Sequence, residues 1–319
     1  MRGVTTVVAF LAVTCGAPWG TGWAEEGGGG HYAPGAAASF VDEMPGRPAW
    51  AVANYAMYYS GSASGREPIF AGGEVAYGLD SQAWVDSVLL LRETDIELLG
   101  GKYGFALAVP LVGVDVKGTL TGPLGNTFRR SDGAAGIGDI TVYPFMVGWV
   151  KGDVKGDVRL GVYVPTGAYD PKSLASVGKN FWTVEPMATV SWLSSKIGLE
   201  VTAFAGFDFN SWNNETDYRS GNVFHLDATV AQHLPVKDLG VIGFGATGFY
   251  YQQITGDSGP GAALLGEMKG RTVGIGPVVS YVGKVGTTEV VAEFKWLPEL
   301  DTEHRLEGDY LWLKVGASF

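Results

Sequence analysis

The chain has 319 residues, among them 49 glycines, with 12% aromatic and only 17% charged residues and a formal net charge of −11. That composition excludes a disordered chain, and the acidic balance excludes nucleic acid as a partner, because phosphate binding needs a basic face. Abundant glycine and aromatics fit many strands joined by tight turns.

Residues 1–24 read as a signal peptide. Arg2 precedes an uncharged apolar run over residues 4–13, and "GWA" ending at Ala24 resembles a cleavage site before Glu25. The run is too short for a spanning helix, which needs about twenty apolar residues. Cys15, the only cysteine, falls inside this segment, so a mature chain without disulfide or metal-thiolate site is expected.

Residues 25–47, "EEGGGGHYAPGAAASFVDEMPGR", show no alternating period. They are either a free periplasmic tail or a plug folded back into a lumen. In the second case His31, Tyr32 and Phe40 meet lumen residues and gate passage.

From residue 48 to residue 319 the chain alternates. Candidate strands begin near Trp50, Ala83, Tyr103 and Gly138, then include "DVRLGVYV" and a weaker run from Phe181. In "GLEVTAFAGFDFN", Leu199, Val201, Ala203, Ala205, Phe207 and Phe209 oppose Glu200, Thr202, Phe204, Gly206, Asp208 and Asn210. "VFHLDATVAQH" and "TTEVVAEFKW" alternate likewise, with weaker runs from Val241 and Arg271. Successive side chains of a strand point to opposite faces, so each strand has one apolar and one mixed face. Short joints such as "SSK" and "PVKD" take turns with longer polar ones: "SASGREPIFAGG", "GTLTGPLGNTFRRSDGAAG", "GAYDPKSLASVGKN", "SWNNETDYRSG", "GDSGPGAALLGEMKG" and "PELDTEHRLEGD". About twelve strands in this rhythm predict an all-β, up-and-down antiparallel transmembrane barrel in a Gram-negative outer membrane. A Greek-key sandwich has no reason to keep short and long joints in turn. Aromatics at strand ends, among them Tyr58, Tyr59, Trp149, Trp182, Trp192, Tyr250, Tyr251, Trp296 and Tyr310, read as interfacial girdles. The chain ends on an apolar strand face at Phe319. A barrel has no free edge, so the last strand is expected to pair with the first, leaving Phe319 towards lipid.

The mixed faces are expected to point into the lumen, carrying Asp86, Arg92, Asp139, Arg159, Glu185, Glu200, His233, Glu289, Lys295 and Lys314. The substrate-path candidates are Tyr163, Phe204, Asp208, His225, Asp227, Phe249, Tyr251, Glu293 and Trp312, the aromatic ones offering stacking surfaces. Neither a Gly-x-Ser-x-Gly elbow nor a phosphate loop occurs. His225, Asp227 and His233 lie along one strand at spacings that rarely converge on one ion. No catalytic residue, metal site or cofactor is therefore predicted.

Several blocks are also familiar: "EGGGGHYAPGAAASF" (26–40), "GIGDITVYPF" (136–145), "VPTGAYD" (164–170), "GKNFWTVEPMATVSW" (178–192) and "FDFNSWNNETDYRSGNVFHLD" (207–227). Together they resemble the outer-membrane barrel family of the meta-pathway of phenol degradation. The resemblance implies a transporter-like channel for small hydrophobic, including aromatic, compounds, and names no binding residues. It implies contact with outer-membrane lipid, and the C-terminal aromatic resembles the signal read by the barrel-assembly machinery. The alternatives are a structural barrel without transport and a barrel hydrolase. Prolines remove ladder hydrogen bonds, so Pro144 or Pro186 could mark a lateral opening for apolar cargo.

Overall fold

The computed structural model describes residues 25–68, 74–237, 239–260, 262 and 269–319; the signal-peptide segment lies outside the described residues. Among the described residues thirteen strands follow in chain order: β1 Ala49–Pro68, β2 Glu74–Leu98, β3 Gly101–Thr121, β4 Thr127–Ile137, β5 Ile140–Lys151, β6 Val154–Val164 and β7 Thr183–Leu193. Then come β8 Leu199–Asn210, β9 Val223–Val236, β10 Gly240–Gln253, β11 Arg271–Val285, β12 Thr288–Glu303 and β13 Glu307–Ser318. They close a twelve-position antiparallel barrel, because β4 and β5 share one position. The far half of β3 pairs with β4, from Leu111↔Ile137 to Thr121↔Thr127, and its near half with β5, from Lys102↔Gly148 to Ala108↔Thr141. The break between them falls at Gly138 and Asp139.

β13 returns to β1 in register from Ala51↔Ser318 to Ser62↔Glu307. Trp50 and Phe319 exchange backbone hydrogen bonds of 3.0 and 2.9 Å, and the Phe319 side chain is exposed. The final residue therefore completes the ladder.

The pattern of burial is inverted relative to a soluble protein. In β7, Thr183, Glu185, Met187, Thr189 and Ser191 are buried while Val184, Pro186, Ala188, Val190 and Trp192 are exposed. A barrel whose outer face meets hydrocarbon puts its apolar residues outward and its polar ones inside.

β2 departs from the sequence expectation. Its inward residues are Ala83, Val85, Ser87, Leu89 and Leu91, so Asp86 and Arg92 face outward. Asp86 accepts a hydrogen bond from Asn54, and the Arg92 guanidinium lies 5.4 Å from the Trp50 ring. Both faces of β2 are rich in apolar residues, so its few charges mislead as markers of the lumen.

Three expected loops are partly strand. β1 runs through to Pro68, residues 127–137 form β4, and β12 extends to Glu303. Beyond the membrane a ladder needs only paired backbone, so polar Ser, Gly and Arg residues extend it without showing an apolar face. Tyr59 and Tyr310, expected in the girdles, turn into the lumen, where Tyr310 is buried; Tyr251, expected both at a strand end and on the substrate path, is buried in the lumen as well. Tyr58, Trp182, Trp192 and Trp296 are exposed.

Candidate functional site: the lumen and its N-terminal segment

Residues 25–47 lie against the inward faces of the barrel and carry two short 3-10 turns, Glu26–Gly28 and Phe40–Asp42. Such an irregular segment leaves backbone groups unpaired, and buried ones must find partners. The lumen supplies them. Lys179 Nζ donates to Gly29 O (2.6 Å), Trp312 Nε1 to Pro34 O (3.0 Å), Lys295 Nζ to Gly35 O (2.8 Å) and Lys314 Nζ to Ala36 O (2.8 Å). Asp227 accepts from Gly35 N (2.6 Å), Glu200 from Phe40 N (2.9 Å) and Glu93 from Gly46 N (2.8 Å). The polar inner face is therefore largely a template for this segment's main chain. Gly35 sits at φ +83°, where an added Cβ would lie 2.4 Å from Leu297 and 3.0 Å from Trp312, so only glycine fits the turn.

Ion pairs fix both ends. Lys314 Nζ reaches both Asp42 oxygens at 2.7 and 2.8 Å, and Arg305 meets Glu25 at 2.5 Å. Burial works against ionising Asp42, but Lys314 and Lys295 outweigh it and hold its carboxyl below the usual carboxylate range.

At the break between β4 and β5, Asp139 gathers three of the familiar sequence blocks. Its carboxylate accepts from Gly167 N (2.8 Å) and Lys179 N (2.7 Å) and lies 3.0 Å from His31 Nε2. Thr166 Oγ1 donates to Gly138 O and accepts from Ile140 N, both at 3.0 Å. The loop after β6 and the N-terminal segment are thus tied to one carboxylate.

The other side of the lumen is different. Between the N-terminal segment and the wall of β1, β2 and β3 lies a cavity of about 480 Å³. Ala51, Ala53 and Met57 of β1, Leu89 and Leu91 of β2, and Ala106, Ala108 and Val112 of β3 line it. Tyr32, Ala36, Phe40 and Met44 face them, and Asp139, Arg159 and Lys179 form a polar margin.

The predicted site residues divide accordingly. Tyr163 and Trp312 border this cavity, as do His31, Tyr32 and Phe40. Tyr163 also stacks on His31 with centroids 4.8 Å apart. Phe204 and Tyr251 pack with Tyr32, Met187 and Val223, while Phe249 packs with Met57, Leu297, Tyr310 and Trp312. Phe40 meets His233 edge-on at 5.0 Å. Tyr32 stacks on His225 at 3.6 Å and donates to Asp227 at 2.5 Å. Asp208 lies behind His225, and Glu293 pairs with Lys295 at 2.9 Å and accepts from Ser39. The aromatics expected to offer free stacking faces are mostly taken up by the N-terminal segment. The apolar β1–β3 wall was missed, although its signal was present as runs such as "VLLL" with no polar alternate face.

The prolines suggested as openings do not part the wall. At Pro144 the ladder is irregular on both sides but resumes at Met146↔Gly104 and Phe145↔Leu160. Pro186 pairs with Leu160 on β6, while towards β8 the pairing lapses at Glu185 and Pro186 and resumes in the same register, from Val184↔Phe209 to Met187↔Gly206. Among the described residues β4 pairs only with β3, so its far edge is the unpaired one. A loop rather than a strand covers it: Ser173 Oγ and Leu174 N donate to the Asp132 carboxylate, and the Arg130 guanidinium donates to Lys172 O.

Residues 65–315 match the family model described as "Putative MetA-pathway of phenol degradation". Among solved structures, the chain is similar to the COG4313 outer membrane channel from Pseudomonas putida F1, with TM-score 0.58 and 13% identity over 91% of this chain and 100% of that one. The beta domain of the Bordetella autotransporter BrkA matches more weakly, with TM-score 0.41 and 10% identity over 86% of this chain and 99% of that one. No curated protein sequence matches.

Proposed function

The chain belongs to the MetA-pathway phenol-degradation family of outer-membrane barrels, and we propose that it takes up small hydrophobic compounds, aromatic ones included, through its lumen. The observation that carries this reading is the apolar cavity of about 480 Å³ beside the N-terminal segment. An apolar cavity of about 150 Å³ already holds benzene, so a substituted ring fits with room to reorient. The polar half of the lumen is committed to the N-terminal segment, which acts as a plug and leaves no wide aqueous bore. Hydrated solutes gain nothing from the β1–β3 wall, whereas a ring sheds water there.

A hydrolase is disfavoured, because the side chains against His225 are Glu185, Asp208, Asp227 and the Tyr32 ring.

Filling the cavity tests the proposal. Ala106→Trp should cut uptake of a radiolabelled phenol or toluene several-fold in cells whose uptake limits growth, while heat-modifiability shows a folded barrel. Normal uptake in that folded variant would refute the cavity as the path.

A further inference from the structure

Three adjacent strands bring Glu185 (β7), Asp208 (β8) and His225 (β9) together beneath the ring of Tyr32. Their ligand-capable atoms all lie within 4.8 Å of one another. Glu185 Oε1 is 3.0 Å and Asp208 Oδ1 3.8 Å from His225 Nε2. All three side chains are at most 1% exposed.

The partners of these groups run out. Glu185 Oε2 accepts from Tyr163 at 3.2 Å, and Asp227 nearby is satisfied by Tyr32 and Gly35. Glu185 Oε1, both oxygens of Asp208 and both ring nitrogens of His225 meet no aligned hydrogen-bond partner. The charged groups facing Asp208 are Glu185, His225 and Glu25, so two carboxylates share one imidazole. Buried charges are ordinarily paired or bound to metal. With both carboxylates ionised, even a protonated His225 leaves the trio one negative charge in excess.

The backbone is shaped for the trio. A Cβ at Gly206 would lie 2.5 Å from both Cε1 and Nε2 of His225, and one at Gly161 would lie 2.9 Å from Glu185 Oε2. Glycine at 206 lets the imidazole lean across β8 towards Glu185. Along one strand the spacing of His225, Asp227 and His233 argued against an ion; across three strands the donors converge.

We propose that Glu185, Asp208 and His225 bind one divalent first-row transition-metal ion, of which zinc is the probe. Bonds of about 2.0–2.2 Å to nitrogen and oxygen in a tetrahedron place ligand atoms roughly 3.3 Å apart, close to the two separations above. One imidazole with two carboxylates suits such an ion better than calcium or magnesium, which favour oxygen alone. The ion neutralises the trio and fixes the imidazole on which Tyr32 stacks. It thereby steadies the seat of the N-terminal segment without entering the cavity.

Tag-free barrel stripped with chelator and dialysed against zinc should retain one zinc per chain by elemental analysis. Diffraction at the zinc edge should place one anomalous peak between Glu185, Asp208 and His225. Asp208→Asn should weaken retention more than the roughly 10- to 100-fold that loss of an outer-sphere partner costs, while His233→Gln should leave it unchanged. Absence of both stoichiometric zinc and the peak in wild-type protein overturns the site, as does undiminished retention in folded Asp208→Asn. If that variant does not fold, the wild-type diffraction result decides.

Discussion

Lys314→Met is expected to release the N-terminal segment from a barrel that stays closed. The ammonium of Lys314 is buried against both oxygens of Asp42 and also holds Ala36 O. Removing it strands the Asp42 carboxylate in the lumen, and breaking a buried pair from one side costs about 3–5 kcal/mol. That energy is not drawn from the strand ladder, because β13 still pairs with β1 and β12 through its backbone. Hydrogen exchange should therefore rise over residues 33–44 by two to three orders of magnitude, while the amides of β1, β12 and β13 stay protected. Exchange rising equally in the strands would show that the pair holds the barrel and not the segment.

Deleting residues 25–45 should give the larger change in conduction. Among the described residues all strands lie downstream, from Ala49 to Ser318, so the variant should still fold. Without the segment, Lys295, Lys314, Asp227 and Glu200 lose the backbone groups that they pair and must be hydrated. Water then fills the polar half of a barrel that is narrow at twelve strands. Single-channel conductance in planar bilayers should rise several-fold, and discrimination of aromatic from hydrophilic solutes should fall. Unchanged conductance from a folded deletion variant would place the segment outside the conducting path.

How far the sequence reveals this depends on how different the two faces of a strand are. In β7 and β8, Glu185 against Val184 and Glu200 against Val201 label the lumen unmistakably. β2 defeats the same logic because Leu89 and Leu90 point opposite ways and are equally apolar. β4 is hidden because its ladder with β3 is carried by backbone bonds under polar residues such as Arg129, Ser131 and Asp132. The candidate site was legible as a list of lumen residues and as His31, Tyr32 and Phe40. What those residues hold was not. Trp312 reaches Pro34, and Lys314 reaches Ala36, across 278 positions of chain, and no local pattern announces a side chain whose partner is a distant carbonyl. The role of Asp139 was likewise visible only as a familiar block, since its partners are two backbone amides and a histidine from three other segments.

Apolar cargo is proposed to occupy the space between the N-terminal segment and the β1–β3 wall. A crystal soaked with a brominated phenol and recorded at the bromine edge tests this. An anomalous peak is expected inside the barrel, within van der Waals contact of Met57, Leu89 and Ala106, and the peak should be lost in Ala106→Trp. Bromine ordered only on the outer surface, with nothing in the cavity at saturating compound, would contradict it.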